Sequence, residues 1–165
     1  MGGPTGREIE LDEEHAAFIQ GGVSVVVCAR GQDLVPDAVR GCGCRVSRDR
    51  RRVTVLVDAA RAGAVLEDIA ANGMVAVVFS QPSTHRTIQL KGTDAKLVRV
   101  TRAERETAER HLHAWADDMQ TIGYPREFSR ATHGDAWQGL AAIAFSPAAA
   151  FQQTPGPAAG QRLER

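Results

Sequence analysis

Three arginines, Arg40, Arg61 and Arg86, are the residues of this chain best suited to hold an anion. A phosphate withdrawn from bulk water needs charge-assisted donors, and a guanidinium fork supplies two parallel hydrogen bonds at once. Arg40 opens the run RGCGCRV, where Gly41 and Gly43 remove side chains from alternate positions of an extended segment. Such gaps suit a flat ring that must approach the backbone closely. A plainer reading stands beside each feature: solvated strand-edge charges for the arginines, a bulge or barrel corner for the glycines. Only convergence of the arginines in space favours binding.

The remaining candidates for chemistry are weaker. Cys42 and Cys44, two apart in a strand, fall on one face, but a C-x-C offers only two ligands. Cys28 adds a third at most and no histidine stands at zinc-finger spacing, so small buried thiols are expected and no metal. His111 and His113, two apart on a helix, do not share a face and read as surface residues. His85, in a loop before a strand, and His133, in the irregular stretch IGYPREFSRATHGD, read as solvated loop histidines outside any triad. With no nucleophile elbow, Walker motif or G-x-G-x-x-G, hydrolase, NTPase and Rossmann readings lack support.

The elements that must position these residues alternate between short apolar strands and a few helices. Asp12 caps a short helix that ends near Gly21-Gly22, and VSVVVCA, residues 23–29, reads as a strand buried on both faces. Residues 37–46 and 52–57 flank the polar run SRDRR as a hairpin, and AARAGAVLEDIAA, 59–71, is a helix stopped by Asn72-Gly73. MVAVVFS, 74–80, is a further buried strand, followed by one long bent strand over 86–100 with a bulge at Gly92. Thr101-Arg102-Ala103-Glu104 has capping-box spacing and opens a helix whose apolar stripe is Ala108, Leu112, Trp115 and Met119. LAAIAF, 140–145, completes the sheet, and the Pro- and Gly-rich tail QTPGPAAGQRLER is expected to lack regular structure. The pattern predicts a mainly β protein, an antiparallel barrel with peripheral helices.

Composition sets the outer limits. A chain of 165 residues, 43% hydrophobic, suffices for one core and not two. The expected organisation is an extension over 1–10, a domain over 11–150 and a tail over 151–165. Basic and acidic residues number 20 each, so no net field favours nucleic acid or an anionic membrane. No apolar run approaches the roughly 20 residues of a membrane helix, and MGGPTGREIELDEEH lacks a signal-peptide pattern, so a cytoplasmic protein with free thiols is expected.

The order of elements, together with NGMVAVVFSQPSTHRTIQLKGTDAKLV over residues 72–98, resembles the split β-barrel family of pyridoxamine 5′-phosphate oxidase. There an apolar strand leads through a short loop into an Arg-led strand that ends in glycine. The tail QTPGPAAG resembles the ending of short bacterial members, and the likeness covers roughly residues 10–155. It implies FMN held between the subunits of a homodimer, with the phosphate on basic residues of the first hairpin and the following helix. Arg40 matches the arginine opening the family's RxVLLK-like strand, Arg61 lies near its Arg-Lys pair, and Arg86-Thr87 match its Arg-Gln step. This chain departs in lacking the lysine after Arg61, in having Thr87 for glutamine, and in RGCGCR for a bulky apolar strand. With Gly41, the residues Thr84, Thr87 and Gln89 are then candidates for the ring and its polar edge.

The resemblance implies a flavin-dependent oxidoreductase acting on a small molecule. A module that only stores or senses FMN, or holds haem, is the alternative, as is a flavin-free protein of the same fold. A dimer would also cover an open barrel face carrying Gly41, Gly43 and the strand of Arg86. The segment from Phe151 to Gly160 is expected to pack on the barrel or the partner and partly cover the flavin site, with Arg162 and Arg165 adding charge.

Overall fold

The computed structural model describes residues 9–134 and 139–163. Helix α1 (Glu13–Ile19) starts where the Asp12 carboxylate accepts the His15 amide at 2.6 Å. Strands β1 (Ser24–Arg30), β2 (Pro36–Val46) and β3 (Val53–Asp58) follow as two successive antiparallel pairs. Helix α2 (Gly63–Asn72) is stopped by Gly73 in the left-handed region, at φ 69°. Strands β4 (Val75–Ser80), β5 (Thr87–Gly92) and β6 (Lys96–Val98) lead to helices α3 (Arg102–Thr121) and α4 (Arg126–His133). Strands β7 (Leu140–Phe145) and β8 (Ala149–Gln152) complete the described elements.

All eight strands form one antiparallel sheet in the order β6-β7-β3-β2-β1-β4-β5-β8. It curls into a split barrel without closing. Valine-rich alternation drives the curl: Val25, Val27, Val77, Phe79, Ile88, Leu90, Val55 and Val57 all point inward and are at most 1% exposed. Burying such side chains contributes about 1.5–3 kcal/mol each. Strands β1 and β4 are nevertheless buried on one face only, their outward side chains being half-buried, so the two-sided burial expected from VSVVVCA does not hold.

One further expectation is corrected. The segment 86–100 is two strands, since the chain breaks at 93–95. There Asp94 accepts the Ser146 amide at 2.8 Å, and β6 crosses to pair with β7 at the far edge of the sheet. The tail QTPGPAAGQRLER holds no helix or strand over its described residues, as expected, and it packs on the barrel: β8 leads into it by pairing with β5, Phe151 bridges Arg162, and the Leu163 amide donates to the Ala150 carbonyl at 2.9 Å. Arg165 lies outside the described residues.

Helix α3 covers the outer face of only part of the sheet. The Thr101–Glu104 capping box is formed, and Glu104 reaches the Arg45 guanidinium on β2 at 2.5 Å, tying the helix start to that strand. Cys42, Leu56, Ala108 and Ala142 form a small second core beneath it. Among the described residues no helix is long and apolar enough to cross a membrane.

Candidate functional site

The register of the central strands sets the side-chain rows. Arg40, Val26, Val78, Gln89 and Phe151 are successive cross-strand partners and therefore share the outer face. The adjoining rows are Ser24, Ser80 and Thr87 on one side and Ala38, Cys28, Ala76 and Lys91 on the other. The centre of this surface is floored by the small or short side chains of Val26, Val78, Ala76 and Cys28. Three strand spacings, about 14 Å, separate Arg40 from Gln89.

At the Arg40 end the floor meets a pocket. Val39, Arg40 and Cys42 of β2 line it together with Asp58, Arg61, Thr132 and His133. The Arg40 guanidinium donates to Ser24 Oγ at 3.2 Å and lies 6.0 Å from the Trp115 ring centroid. Arg61 comes from the turn before α2, pairs with Asp58 at 3.5 Å and rests against Gly134, Nη2 being 3.5 Å from where a Cβ would stand. Strand β2 and the β3–α2 turn thus bring two of the three candidate arginines to one concavity.

Arg86 is elsewhere. It pairs with Glu14 at 2.9 Å and lies 4.3 Å over the Phe18 ring, holding α1. Thr87 does face the floor, its hydroxyl 2.7 Å from Ser80 Oγ and its amide donating to Thr154 of the folded-back tail at 2.9 Å. Gln89 shares that face. Thr84 stays in the β4–β5 loop, donating to Gln81 at 3.1 Å and capping the Arg86 amide.

The two glycines of RGCGCRV serve opposite faces. A register shift between Gly41 and Gly43 is a β-bulge, with Gly43 at φ 152°. Gly41 turns inward, where a Cβ would stand 2.6 Å from Val25 Cγ1, and Gly43 turns outward under α3, where one would stand 3.4 Å from His111 Cβ. The bulge also separates the cysteines: Cys42 packs beneath α3 and Cys44 in the main core, so the expectation that they share a face is overturned. Burial pushes the Cys42 thiol up to about 11 and raises that of Cys44 further.

Sequence reasoning missed two histidines. His111 is 3% exposed and His133 6%, so neither is the solvated residue expected. His85 is exposed in its loop. His133 ends α4, where Nδ1 donates to the Ser129 carbonyl at 3.1 Å. Its ring meets Trp115 edge-on at 4.7 Å and His111 at 5.9 Å. His111 lies near the Gly21 carbonyl in a geometry too poor for a hydrogen bond, and neither of its ring nitrogens finds a partner among the described residues. Burial, with the charges of His133 and Arg40 adding, holds it down at about 4. Burial likewise lowers His133, and Arg40 adds to the effect. A readable signal existed for His111, which stands four residues before Trp115 and eight before Met119, on the stripe that packs.

No protein-family model and no curated protein sequence matches the chain. Solved structures do match its fold. HupZ from Group A Streptococcus superposes with a TM-score of 0.54 at 15% identity, covering 91% of this chain and 99% of that one. A proposed pyridoxamine 5′-phosphate oxidase from Lactobacillus delbrueckii gives 0.53 at 14%, covering 86% and 93%. General Stress Protein 26 from Bacillus anthracis Sterne gives 0.52 at 14%, covering 95% and 100%. The architecture is therefore that of the pyridoxamine 5′-phosphate oxidase-like split barrels, as the element order of the sequence implied.

Proposed function

We propose that this split barrel binds FMN, with the phosphate in the Arg40/Arg61 pocket and the isoalloxazine on the floor of Val26 and Val78, and that it acts as an oxidoreductase on a small molecule. The observation that carries the reading is the convergence of two guanidinium groups on one concavity at the end of an open floor of small side chains. The residues fit the cofactor. Two arginines against one aspartate leave the pocket net positive, and bidentate donors match a phosphate. The distance from Arg40 to Gln89 suits an extended ribityl phosphate with its ring. Thr87, Ser80 and Gln89 offer hydrogen bonds to the polar ring edge at the far end.

The flavin would supply the redox chemistry, and the protein position and electrostatics. Arg40 orients the phosphate end and is itself aimed by Ser24 and Trp115. The bulged β2 carries Arg40 and Cys42 to the pocket rim. A second copy of the chain would cover the open outer face of β1, β4 and β5, excluding water from one side of the ring and completing the site. Half-buried valines on that face support such a homodimer.

The test is the absorbance spectrum of protein purified without added cofactor, before and after anaerobic NADH or NADPH. Flavin bands that bleach with the nucleotide are expected. Flavin bands that do not bleach indicate binding without turnover with these donors, a Soret band indicates haem, and protein that stays colourless with added FMN overturns the reading.

A further inference from the structure

Among the described residues His133 is the histidine that lines the pocket of Arg40 and Arg61. Its Nδ1 is committed to the Ser129 carbonyl, an acceptor only, so Nδ1 carries a proton and Nε2 is the nitrogen left for a further partner. In the neutral ring that nitrogen presents a lone pair, which an anion does not want. In the protonated ring it is a charge-assisted donor. We propose, resting on the reading of this pocket as a phosphate site, that His133 is a third ligand of the bound phosphate and engages it only when protonated, so that FMN binding takes up a proton.

The surroundings leave His133 as the proton acceptor. The charged and titratable groups facing it among the described residues are Arg40 and Cys42 from β2, Asp58 and Arg61 from β3 and its following turn, and His111 from α3. Cys42 is pushed up to about 11 and His111 down to about 4, so neither changes charge between about pH 6 and 9. Without a ligand, burial and Arg40 disfavour a charged His133. A phosphate placed against Arg40 and Arg61 supplies the opposite charge and reverses that preference. The empty pocket therefore holds a neutral imidazole, and the filled one an imidazolium paired with the anion.

The sign follows from linkage. His133 has a low pKa when free and a raised one when liganded, so affinity for FMN is flat below the free value and falls as pH rises towards the liganded value. In that window the fall approaches tenfold per pH unit. The phosphate's own second ionisation near pH 6 acts in the opposite direction and is complete above about pH 7. Working above pH 7 therefore isolates the histidine.

The experiment titrates FMN and riboflavin into the full chain by flavin fluorescence from about pH 7 to 9, for the parent and His133→Gln, which keeps a neutral hydrogen-bonding side chain. FMN affinity of the parent is expected to fall by about fivefold or more over that range, with riboflavin unchanged and the variant flat within about twofold. Calorimetry of FMN binding to the parent in two buffers of different ionisation enthalpy gives proton uptake without any variant, and net uptake of protons is expected near pH 7.5. A preference for FMN over riboflavin that is pH-independent, with no proton uptake, overturns the role of His133 and leaves the phosphate site standing. No preference for FMN overturns both.

Discussion

Replacing Glu104 with glutamine removes a buried charge while keeping its shape, at the point where α3 is tied to β2. The residue is 3% exposed and accepts from the Thr101 amide at 2.9 Å and from Arg45 at 2.5 Å, with the Thr101 hydroxyl also bonded to it. Burial acts to raise its pKa, but the Thr101 bonds and Arg45 outweigh it and hold the carboxyl at about 2, against an ordinary 4.5. At about 1.4 kcal/mol per pKa unit, that lowering corresponds to about 3 kcal/mol of stability at neutral pH. Arg45 is 45% exposed, so solvent screens its share, and the expected loss for Glu104→Gln is about 2 kcal/mol. Because the folded-state value is the lower one, the contribution is complete above 4.5 and disappears as pH falls towards about 2. Urea denaturation of parent and variant should show the gap in full at pH 7 and less than half of it at about pH 3. A gap that is equal at both pH values, or below about 0.5 kcal/mol at pH 7, would refute the reasoning.

Other perturbations probe the scaffold around the site. Gly41→Ala places a Cβ 2.6 Å from Val25 Cγ1, and overpacking of this kind should cost about 1–3 kcal/mol in chemical denaturation. An unchanged midpoint would mean that β1 and β2 leave room for the added methyl group. Deleting residues 153–165 removes the Gln153 bond to Thr87 at 2.8 Å and the Leu163 bond to Ala150 at 2.9 Å, so the intact tail should resist protease while truncation lowers the melting temperature. Rapid cleavage of the intact tail would contradict its docking. Arg86→Ala should loosen α1, which it holds through Glu14 and Phe18, and leave FMN affinity within about twofold. A tenfold loss of FMN affinity at constant stability would place Arg86 at the phosphate instead.

Local signals carried most of the fold. The capping box at Thr101 and the Asn72-Gly73 stop are short-range rules, and each is found where the residues predicted it. What could not be read depends on contacts between distant segments. The break between β5 and β6 is set by Asp94 meeting Ser146, and the short strand β8, for which the sequence offered no pattern, by its pairing with β5. The bulge at Gly43 turned Cys42 and Cys44 to opposite faces, which a strict two-residue period cannot anticipate. For the site, the residue types offered Arg40, Arg61 and Arg86 alike, and it is the fold that brings the first two to one pocket and sends Arg86 to Glu14. His133 was hidden because nothing in PREFSRATHGD reveals that α4 would form and press its last residue against Trp115.

The affinity of the full chain for FMN relative to riboflavin, measured by fluorescence titration for the parent, Arg40→Ala and Arg61→Ala, isolates the phosphate from the ring. The parent should bind FMN at least about tenfold more tightly than riboflavin, and each variant should lose about 1.5–3 kcal/mol for FMN with riboflavin unchanged, the range for a hydrogen bond to a charged group. Equal affinity for the two ligands, or folded variants that bind FMN as the parent does, would contradict a flavin phosphate held by Arg40 and Arg61.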